Sequence, residues 1–303
     1  MDEEEFNKLM KAGEIAARVR DYAETLVREG MKVIELAERI EERIRSLGAQ
    51  PAFPVNISIN EVAAHYTPIP NDELEIPSGS VVKIDVGVHV DGFIADTATT
   101  VCLSEAFRGL VEACRDALER ALRAIEVGKR FSEIGQVVEK VIKDRGYVPV
   151  YNLSGHSIDR YTIHAGEVIP NYRDLKNFGR FREGKVYAIE PFATNGRGYV
   201  KEGSAITIYA LRYNPKKLKS MDEECRRVFE RIYSERRTLP FAKRWYVREF
   251  GHELLDRAIE EFRKRGLLVS YPILVEASGG VVAQFEHTIV IYRGRVYVST
   301  ARF

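Results

Sequence analysis

Apolar and polar positions follow two different periods along this chain, and these periods predict a mixture of helices and strands. Apolar residues that recur every three or four positions predict helices near residues 3–28, 32–47, 105–126, 131–145, 221–237 and 250–265. Period-two alternation and short β-branched runs predict strands near residues 54–59, 80–90, 93–102, 147–153, 185–193, 204–211, 269–276, 281–292 and 295–299. The chain is therefore expected to have an α+β fold.

An internal repeat relates two parts of the sequence. At an offset of 98 positions, residues 30–48 fall on residues 128–146, and each segment reads as an amphipathic helix between two glycines. At an offset of 105 positions, the strand-like GSVVKID ending at Asp85 falls on GKVYAIE ending at Glu190. Shared periodicities can produce such similarity by chance. An internal duplication would instead give two similar halves across a shared sheet, with both carboxylates at one central site.

The stretch from about 212 to 268 has no counterpart in the first half. It is predicted to be helical, and between residues 212 and 248 it holds twelve Lys or Arg against five Asp or Glu. We expect a helical insertion between two strands of the second half, within a single domain of residues 1–303. Such a basic bias usually means a solvated surface, although a contact with RNA is the alternative.

Composition narrows the setting of the protein. The 303 residues are 45% hydrophobic and 30% charged, which is typical of a globular protein with a sizeable core. The net charge of +1 gives no global bias towards nucleic acid or membrane surfaces. Cys102, Cys114 and Cys225 are widely spaced, and the N-terminus lacks the regions of a signal peptide. We expect a cytoplasmic protein that is not inserted in a membrane and is a monomer.

Two aspartates are predicted to meet on one hairpin. Asp91 and Gly92 form a strong two-residue turn signal, which places Asp96 opposite Gly87. Asp85 lies two positions from Gly87 and therefore points to the same face as Asp96. Diagonal neighbours of this kind lie roughly 7–8 Å apart between backbones, so their side chains can converge. Buried carboxylates need a counter-charge, usually a cation; a solvated face for both residues is the alternative.

Two glutamates and a histidine extend this set. Glu190 ends an apolar strand pattern, and Glu286 shares one face of the predicted strand 281–292 with Gln284 and Thr288 by alternation. His156 follows a glycine that permits close backbone approach. The sequence has no HExxH helix, which argues against a zincin site. One imidazole with four carboxylates suits two hard or borderline divalent ions, held roughly 3.5–4 Å apart by bridging carboxylates.

At this point the ordered motifs IDVG, ADTATT, GH, IEPF and QFEHT resemble those of the methionine aminopeptidases, in particular type 2. NEVAAHYTP and NLSGHSIDRYTIHAG are similar to the histidine motifs of that type, and the resemblance covers essentially the whole chain. Without a long N-terminal extension, the chain is similar to the archaeal form. The resemblance implies the pita-bread fold, with two pseudo-symmetric αβ halves and a helical insertion, in a single catalytic domain.

The resemblance also implies a function and its metal ligands. The enzyme would remove the initiator methionine from nascent proteins when the second residue is small, through a hydroxide that bridges two divalent metals. Asp85 would hold one metal with both oxygens, Asp96 and Glu286 would bridge both, and His156 and Glu190 would complete the other. These ligands are compatible with Co, Mn, Fe, Zn and Ni, so the identity of the metals stays open.

Further roles are carried over from the resemblance. Glu190 would also accept a proton, His164 would hydrogen-bond the substrate carbonyl or oxyanion, and His65 would contact the substrate near its amine or scissile amide. Phe53 and Phe192 would line the methionine pocket. Val281 stands where eukaryotic type 2 enzymes have a tyrosine, so pocket details are expected to differ. The basic insertion would be a solvated face or a contact with the ribosome near the nascent chain.

Two other functions stay open at this level. Xaa-Pro dipeptidases and aminopeptidases share the five ligands, but they normally carry a large N-terminal domain, and here only about 80 residues precede Asp85. A non-catalytic binding module with the same fold is the second alternative. Such relatives lose metal ligands, whereas the chain retains all five.

Overall fold

The computed structural model describes residues 1–301, and within them it contains seven α-helices. Two single 3₁₀ turns precede α3 and α7, at Glu105–Phe107 and Lys243–Trp245. The helices are α1 (Glu3–Leu26), α2 (Val33–Ser46), α3 (Arg108–Ala124), α4 (Phe131–Asp144), α5 (Pro215–Lys219), α6 (Glu223–Arg236) and α7 (Val247–Lys264).

Fifteen strands complete the described part of the chain. They are β1 (Gln50–Pro51), β2 (Asn56–Ile59), β3 (Val62–Ala64), β4 (Val81–Val90), β5 (Phe93–Cys102), β6 (Val148–Pro149), β7 (Ser154–Ile158), β8 (Val168–Pro170), β9 (Val186–Ile189), β10 (Phe192–Thr194), β11 (Val200–Leu211), β12 (Leu268–Glu276), β13 (Val282–Gln284), β14 (His287–Tyr292) and β15 (Arg295–Val298). The predicted α+β class is confirmed.

The strands form four hydrogen-bonded sheets. In the first half, β4 pairs with β1, β2 and β5, and in the second half the order is β15-β14-β9-β7-β8. Two three-stranded sheets, β13-β10-β6 and β11-β12-β3, complete the set. The expectation of one sheet shared by both halves is therefore wrong in detail. The two larger sheets meet instead through an isolated bridge between Ala98 and Glu286, with backbone hydrogen bonds of 3.3 and 3.0 Å.

The repeat in the sequence corresponds to a repeat in the structure. Helices α2 and α4 occupy the matched segments, and the glycines that flank them at Gly30, Gly48, Gly128 and Gly146 all have positive φ. Positive φ is the conformation that glycine adopts without strain, which explains why the same residue type recurs at these four places. The two pseudo-symmetric halves of the predicted pita-bread fold are confirmed.

Helices pack against the outer faces of the sheets. Helices α1 and α2 bury their apolar faces against β2 and β4 of the first half. Helices α3 and α4 bury theirs in a core shared with β9 and β14 of the second half. Close approach of α1 to the C-terminal strand region requires Gly13, because a Cβ there would lie 2.3 Å from the Ser299 carbonyl oxygen. These four helices therefore leave the candidate site residues to the strands and the loops between them.

The segment between β11 and β12 holds α5, α6 and α7, and these helices have an apolar core of their own. β11 and β12 pair directly, from Leu211 with Leu268 down to Val200 with Glu276, so the helices leave from one sheet and return to it. The helical character predicted for residues 212–268 is thus present. Among residues 1–301, no helix combines the length and the apolar character needed to cross a bilayer.

Three predicted strands are interrupted. The predicted strand 281–292 is divided into β13 and β14, which belong to different sheets, and 185–193 is divided into β9 and β10. The prediction for 147–153 covers only the short β6 and a turn before β7. The first two interruptions fall at Glu286 and Glu190. At each of these carboxylates the chain passes from one sheet to another.

Candidate active site

The β4–β5 hairpin presents two aspartates at its centre. Its turn is Asp91-Gly92, both residues have positive φ, and the register places Gly87 opposite Asp96 as predicted. His89 fixes the turn, because its Nδ1 accepts the Gly92 amide hydrogen at 3.1 Å. Asp85 and Asp96 therefore occupy the same face of the hairpin, and both line one cavity.

The two glutamates stand at the breaks between strands. Glu190 lies between β9 and β10 and precedes Pro191, which has no amide hydrogen to continue a ladder. Glu286 lies between β13 and β14, where its backbone bridges to Ala98 of β5. The bridge brings Glu286 from the second half beside Asp96 of the first.

His156 completes the cluster from β7. Its Nε2 lies 3.7 Å from Asp96 Oδ2 and 3.4 Å from Glu190 Oε1. Ligand atoms of Asp96, His156 and Glu286 all lie within 4.8 Å of one another. A single cation could therefore touch all three side chains.

The electrostatics of the cluster favour a bound cation. Burial raises the pKa of Asp85 to about 7, and burial with neighbouring carboxylates raises the pKa of Asp96, Glu190 and Glu286 well above their usual range. Burial and the nearby His164 lower the pKa of His156 to about 3. One oxygen each of Asp85, Asp96 and Glu286 is buried without a hydrogen-bond partner. The oxygen-rich donors and neutral imidazole fit divalent metals.

A layer of hydrogen bonds holds the ligand-bearing backbone from behind. Thr288 Oγ1 contacts both the amide and the carbonyl of Asp96 at 2.7 Å, and Thr97 Oγ1 donates to the Glu286 carbonyl at 2.8 Å. Arg20 of α1 in turn donates to Thr97 Oγ1 at 2.8 Å. These roles of Thr97 and Arg20 are not apparent in the sequence, because each residue has an ordinary place in its element.

The cluster lies in a cavity of about 370 Å³ that also contains the predicted substrate residues. Phe53, Phe192, His65 and His164 all line it, so the structure brings together all nine residues that were singled out. The rings of His156 and His164 lie 4.5 Å apart. His65 has a φ of 65°, a conformation that costs a non-glycine residue energy and is concentrated at functional sites.

Several lining residues were not anticipated. Tyr271 of β12, Pro240 after α6, Ile163 and Asn56 also face the cavity, together with Gln284, which was predicted to share a strand face with Glu286. Pro240 lies within the insertion and Tyr271 on the strand that follows it, and nothing in their local pattern distinguishes them from residues of an ordinary strand or loop. Val281 packs against the core of the second half and is absent from the described cavity lining.

Comparison with known proteins places this site in a family. Residues 7–293 match the model of metallopeptidase family M24. The chain belongs to that family. It is 46% identical over 302 residues to the methionine aminopeptidase of Saccharolobus solfataricus, with 99% of each chain covered. It is 47% identical over 296 residues to that of Pyrococcus abyssi, covering 97% of this chain and 99% of the relative. The resemblance noted in the sequence is confirmed.

Solved structures show the same fold at lower identity. A thermophilic Arx1 has a TM-score of 0.86 at 18% identity, covering 100% of this chain and 92% of the other. The methionine aminopeptidase of Thermotoga maritima has a TM-score of 0.72 at 21% identity, covering 100% and 98%. The prolidase of Pyrococcus furiosus has a TM-score of 0.62 at 19% identity, but only 65% of that chain is covered. At these identities the similarity concerns the fold alone.

Proposed function

We propose that this M24 metallopeptidase is a methionine aminopeptidase that removes the initiator methionine from nascent proteins. The observation that carries the proposal is the buried set of four carboxylates and one histidine on the wall of an apolar cavity. Its sequence similarity to archaeal methionine aminopeptidases over nearly the whole chain supports the same activity. The division into one catalytic domain with an insertion at about 212–268 belongs to this proposal.

Five residues would hold two divalent ions. Asp96 and Glu286 would contribute to both sites, Asp85 would complete one site, and His156 with Glu190 would complete the other. This division is the one that the family resemblance implies, and it is supported by the hydrogen bond between Asp85 and Asp96 and by the 3.4 Å contact between His156 and Glu190. When bound, two such ions polarise a carbonyl and make water a nucleophile near neutral pH. Co, Mn, Fe, Zn and Ni all remain compatible with these donors.

The remaining polar residues serve the substrate. Glu190 accepts a proton at a carboxylate oxygen, in addition to its place in the ligand set. His164 and His65 are both predicted to be neutral at pH 7, because burial lowers their pKa, for His65 to about 4. His164 donates a hydrogen bond to the substrate carbonyl oxygen. His65 contacts the peptide near the amine or the scissile amide.

The cavity explains the choice of substrate. Phe53 and Phe192 are almost completely buried and supply apolar walls for an unbranched thioether side chain. Carboxylates on the same wall attract a free α-amine, so an acetylated N-terminus should bind poorly. We also expect cleavage only when the second residue is small: Gly, Ala, Ser, Thr, Cys, Pro or Val.

A panel of peptides tests this proposal. Met-Ala-Ser should release methionine, whereas acetyl-Met-Ala-Ser and Met-Leu-Ser should be cut poorly or not at all. Cleavage of Xaa-Pro dipeptides alone would instead identify an Xaa-Pro dipeptidase. No hydrolysis of any peptide, by protein loaded with each metal in turn, would indicate a non-catalytic binding module.

The proposed setting is the cytoplasm, where nascent chains emerge, with the protein acting as a monomer. A contact with the ribosome through the basic insertion stays a prediction. The structure changes which arginines could take part in it. Arg236 and Arg244 are buried and form hydrogen bonds or ion pairs within the protein, so they do not belong to an exposed basic face. Arg227 and Arg237 are exposed and Arg226 is partly exposed, and these residues would carry such a contact.

A further inference from the structure

A short segment after α6 lies where the insertion meets both halves of the protein. This segment, residues 236–240, is called the wall segment below. It begins at the last residue of α6, turns at Arg237 with a φ of 51°, and ends at Pro240, which lines the cavity. The sequence RRTLP would suggest a basic surface loop, yet Arg236 is only 2% exposed.

Arg236 joins the insertion to the first half. Its Nη2 donates to the carbonyl of Ala52 and to the carbonyl of Pro240, each at 3.0 Å. One nitrogen therefore connects the residue before Phe53 with a residue of the cavity wall. Phe53 itself has little freedom, because its ring packs so tightly on β4 that a Cβ on Gly87 would lie 2.2 Å from it.

The rest of the wall segment contacts the second half. Thr238 Oγ1 donates to the carbonyl of Tyr161 at 2.6 Å, two residues before the cavity residue Ile163. Leu239 is fully buried in an apolar cluster that includes Phe53 and Ile163. The segment thus packs between one cavity residue from each half.

A second buried group reinforces this connection on the other side of Phe53. Glu41 of α2 accepts the Val55 amide hydrogen at 3.2 Å and the Trp245 indole hydrogen at 2.7 Å, and it forms an ion pair with Arg244. Trp245 also lies 4.9 Å from the Arg236 guanidinium. The backbone on both sides of Phe53 is therefore held by buried polar groups that also bind the insertion.

We infer that the wall segment is a specificity-determining element of the proposed methionine pocket, with Arg236 as its positioning residue. By fixing Pro240 and Leu239 relative to Phe53 and Ile163, it sets the shape of the cavity that receives the first side chain. The inference rests on the proposed function. It assigns the insertion a role in substrate choice that is independent of any contact with the ribosome.

The test is the selectivity of Arg236→Met between Met-Ala-Ser and Leu-Ala-Ser. If the wall segment is less firmly held, the ratio of kcat/KM for Met-Ala-Ser to kcat/KM for Leu-Ala-Ser should fall by about tenfold. This is the range in which apolar pockets distinguish small differences between side chains. The fall should arise mainly from a higher KM for Met-Ala-Ser. Arg236→Lys keeps a buried cation with a shorter reach and should give an intermediate ratio. Leu239→Ala, which removes no charge, should also lower the ratio.

Arg231→Met is the matched control, because Arg231 lies on the same helix but pairs with the surface residues Glu235 and Glu249. Its ratio should equal that of the wild type. If Arg236→Met fails to fold, Arg236→Lys and Leu239→Ala decide. Ratios within about twofold of the wild type in these variants, despite a lower Tm, would reduce the wall segment to a stabilising role and overturn the inference.

Calorimetric binding of free methionine and free leucine to the same variants separates this inference from the proposed function. An inactive wild type would count against the peptidase assignment. Loss of preference for methionine in the Arg236 and Leu239 variants would still support the wall segment. An active wild type whose binding preference is unchanged in these variants would contradict the wall segment alone.

Discussion

The five candidate ligands form a concentration of negative charge that the described protein does not neutralise. Within residues 1–301, no lysine or arginine forms an ion pair with any of them. Burial and mutual repulsion instead raise the pKa of the carboxyl groups. Such an arrangement costs folding energy without a cation and is stabilised with one, which supports a metal site at these residues.

Removal of either proposed bridging carboxylate should abolish hydrolysis. If both carboxylates contribute to both ions as proposed, Asp96→Ala and Glu286→Ala should each weaken the two metal sites together. Metal content after gel filtration and methionine release should fall, while the far-UV spectrum stays that of the wild type. Glu253→Ala, an exposed residue of α7, serves as the control. An active Asp96→Ala enzyme with two bound metals would contradict the ligand assignment.

His65 should be the residue that an electrophile in the cavity modifies. Burial lowers its pKa to about 4, so the imidazole is an uncharged nucleophile at neutral pH, and a contact of 3.3 Å joins its Nδ1 to the Pro272 carbonyl. We expect an epoxide of the fumagillin type to alkylate His65, as read by peptide mass mapping, and His65→Asn to prevent it. An adduct on His164, or none at saturating dose, would speak against the placement of His65 at the substrate.

At the scale of elements, the sequence predicted the β4–β5 hairpin well because its signals are local. A two-residue turn and strict alternation determine which residues face each other, so the pairing of Gly87 with Asp96 followed directly. The breaks at Glu190 and Glu286 were not predicted. Apolar patterns run straight through them, and only contacts between distant strands decide where each strand leaves its sheet.

The wall segment was missed for a similar reason. The spacing of Arg236 within α6 does not distinguish a buried arginine from a solvated one. Its burial follows from carbonyl groups contributed by Ala52, 184 residues away in the sequence, and by Pro240. By contrast, the nine candidate site residues were singled out because the motifs that contain them resemble a family, and all nine line the cavity.

The hairpin turn should make the protein sensitive to acid. Burial and the Arg236 charge lower the pKa of His89 from 6.5 to about 4, so the unfolded chain takes up a proton first as the pH falls. The stability contribution is complete above pH 6.5 and is lost towards pH 4, up to about 3 kcal/mol. Urea unfolding of His89→Gln should show a shallower loss than the wild type over this window. Parallel curves for the two proteins would contradict the role of His89.

Over the whole molecule, charged side chains are abundant and many of them form ion pairs. Many surface pairs join residues one helical turn apart, such as Arg39 with Glu35 and Lys143 with Glu139. Individually such pairs contribute little at 25 °C, but networks gain weight at high temperature. We therefore predict that the 30% content of charged residues contributes to heat resistance.

Thermal unfolding tests this reading. We expect a melting midpoint above about 65 °C, the upper end for mesophile domains. Calorimetry of the metal-loaded and the chelated protein, each at low and at high salt, separates the contributions of the metals and the surface pairs. A chelated protein that melts below that temperature at low salt would indicate that its arginine content reflects codon usage rather than heat adaptation.

The exposed arginines of the insertion are the residues through which the protein would contact the ribosome. Arg226→Glu, Arg227→Glu and Arg237→Glu together reverse three charges of the insertion outside its buried groups. If the insertion docks on ribosomal RNA, wild-type protein should co-sediment with ribosomes at low salt, and the variant should not. Equal sedimentation of the two proteins over a salt series would remove the docking idea. It would leave the peptidase assignment unaffected.

The metal dependence of methionine release from Met-Ala-Ser tests the proposed metallopeptidase function most directly. Protein freed of metal by chelation should release no methionine, and activity should return as Co, Mn, Fe, Zn or Ni is added singly. Calorimetry of the same titration should resolve up to two ions per chain, and Asp96→Ala should recover neither binding nor activity. Full activity in the chelated protein, or metal binding to Asp96→Ala equal to that of the wild type, would contradict a function built on these five ligands.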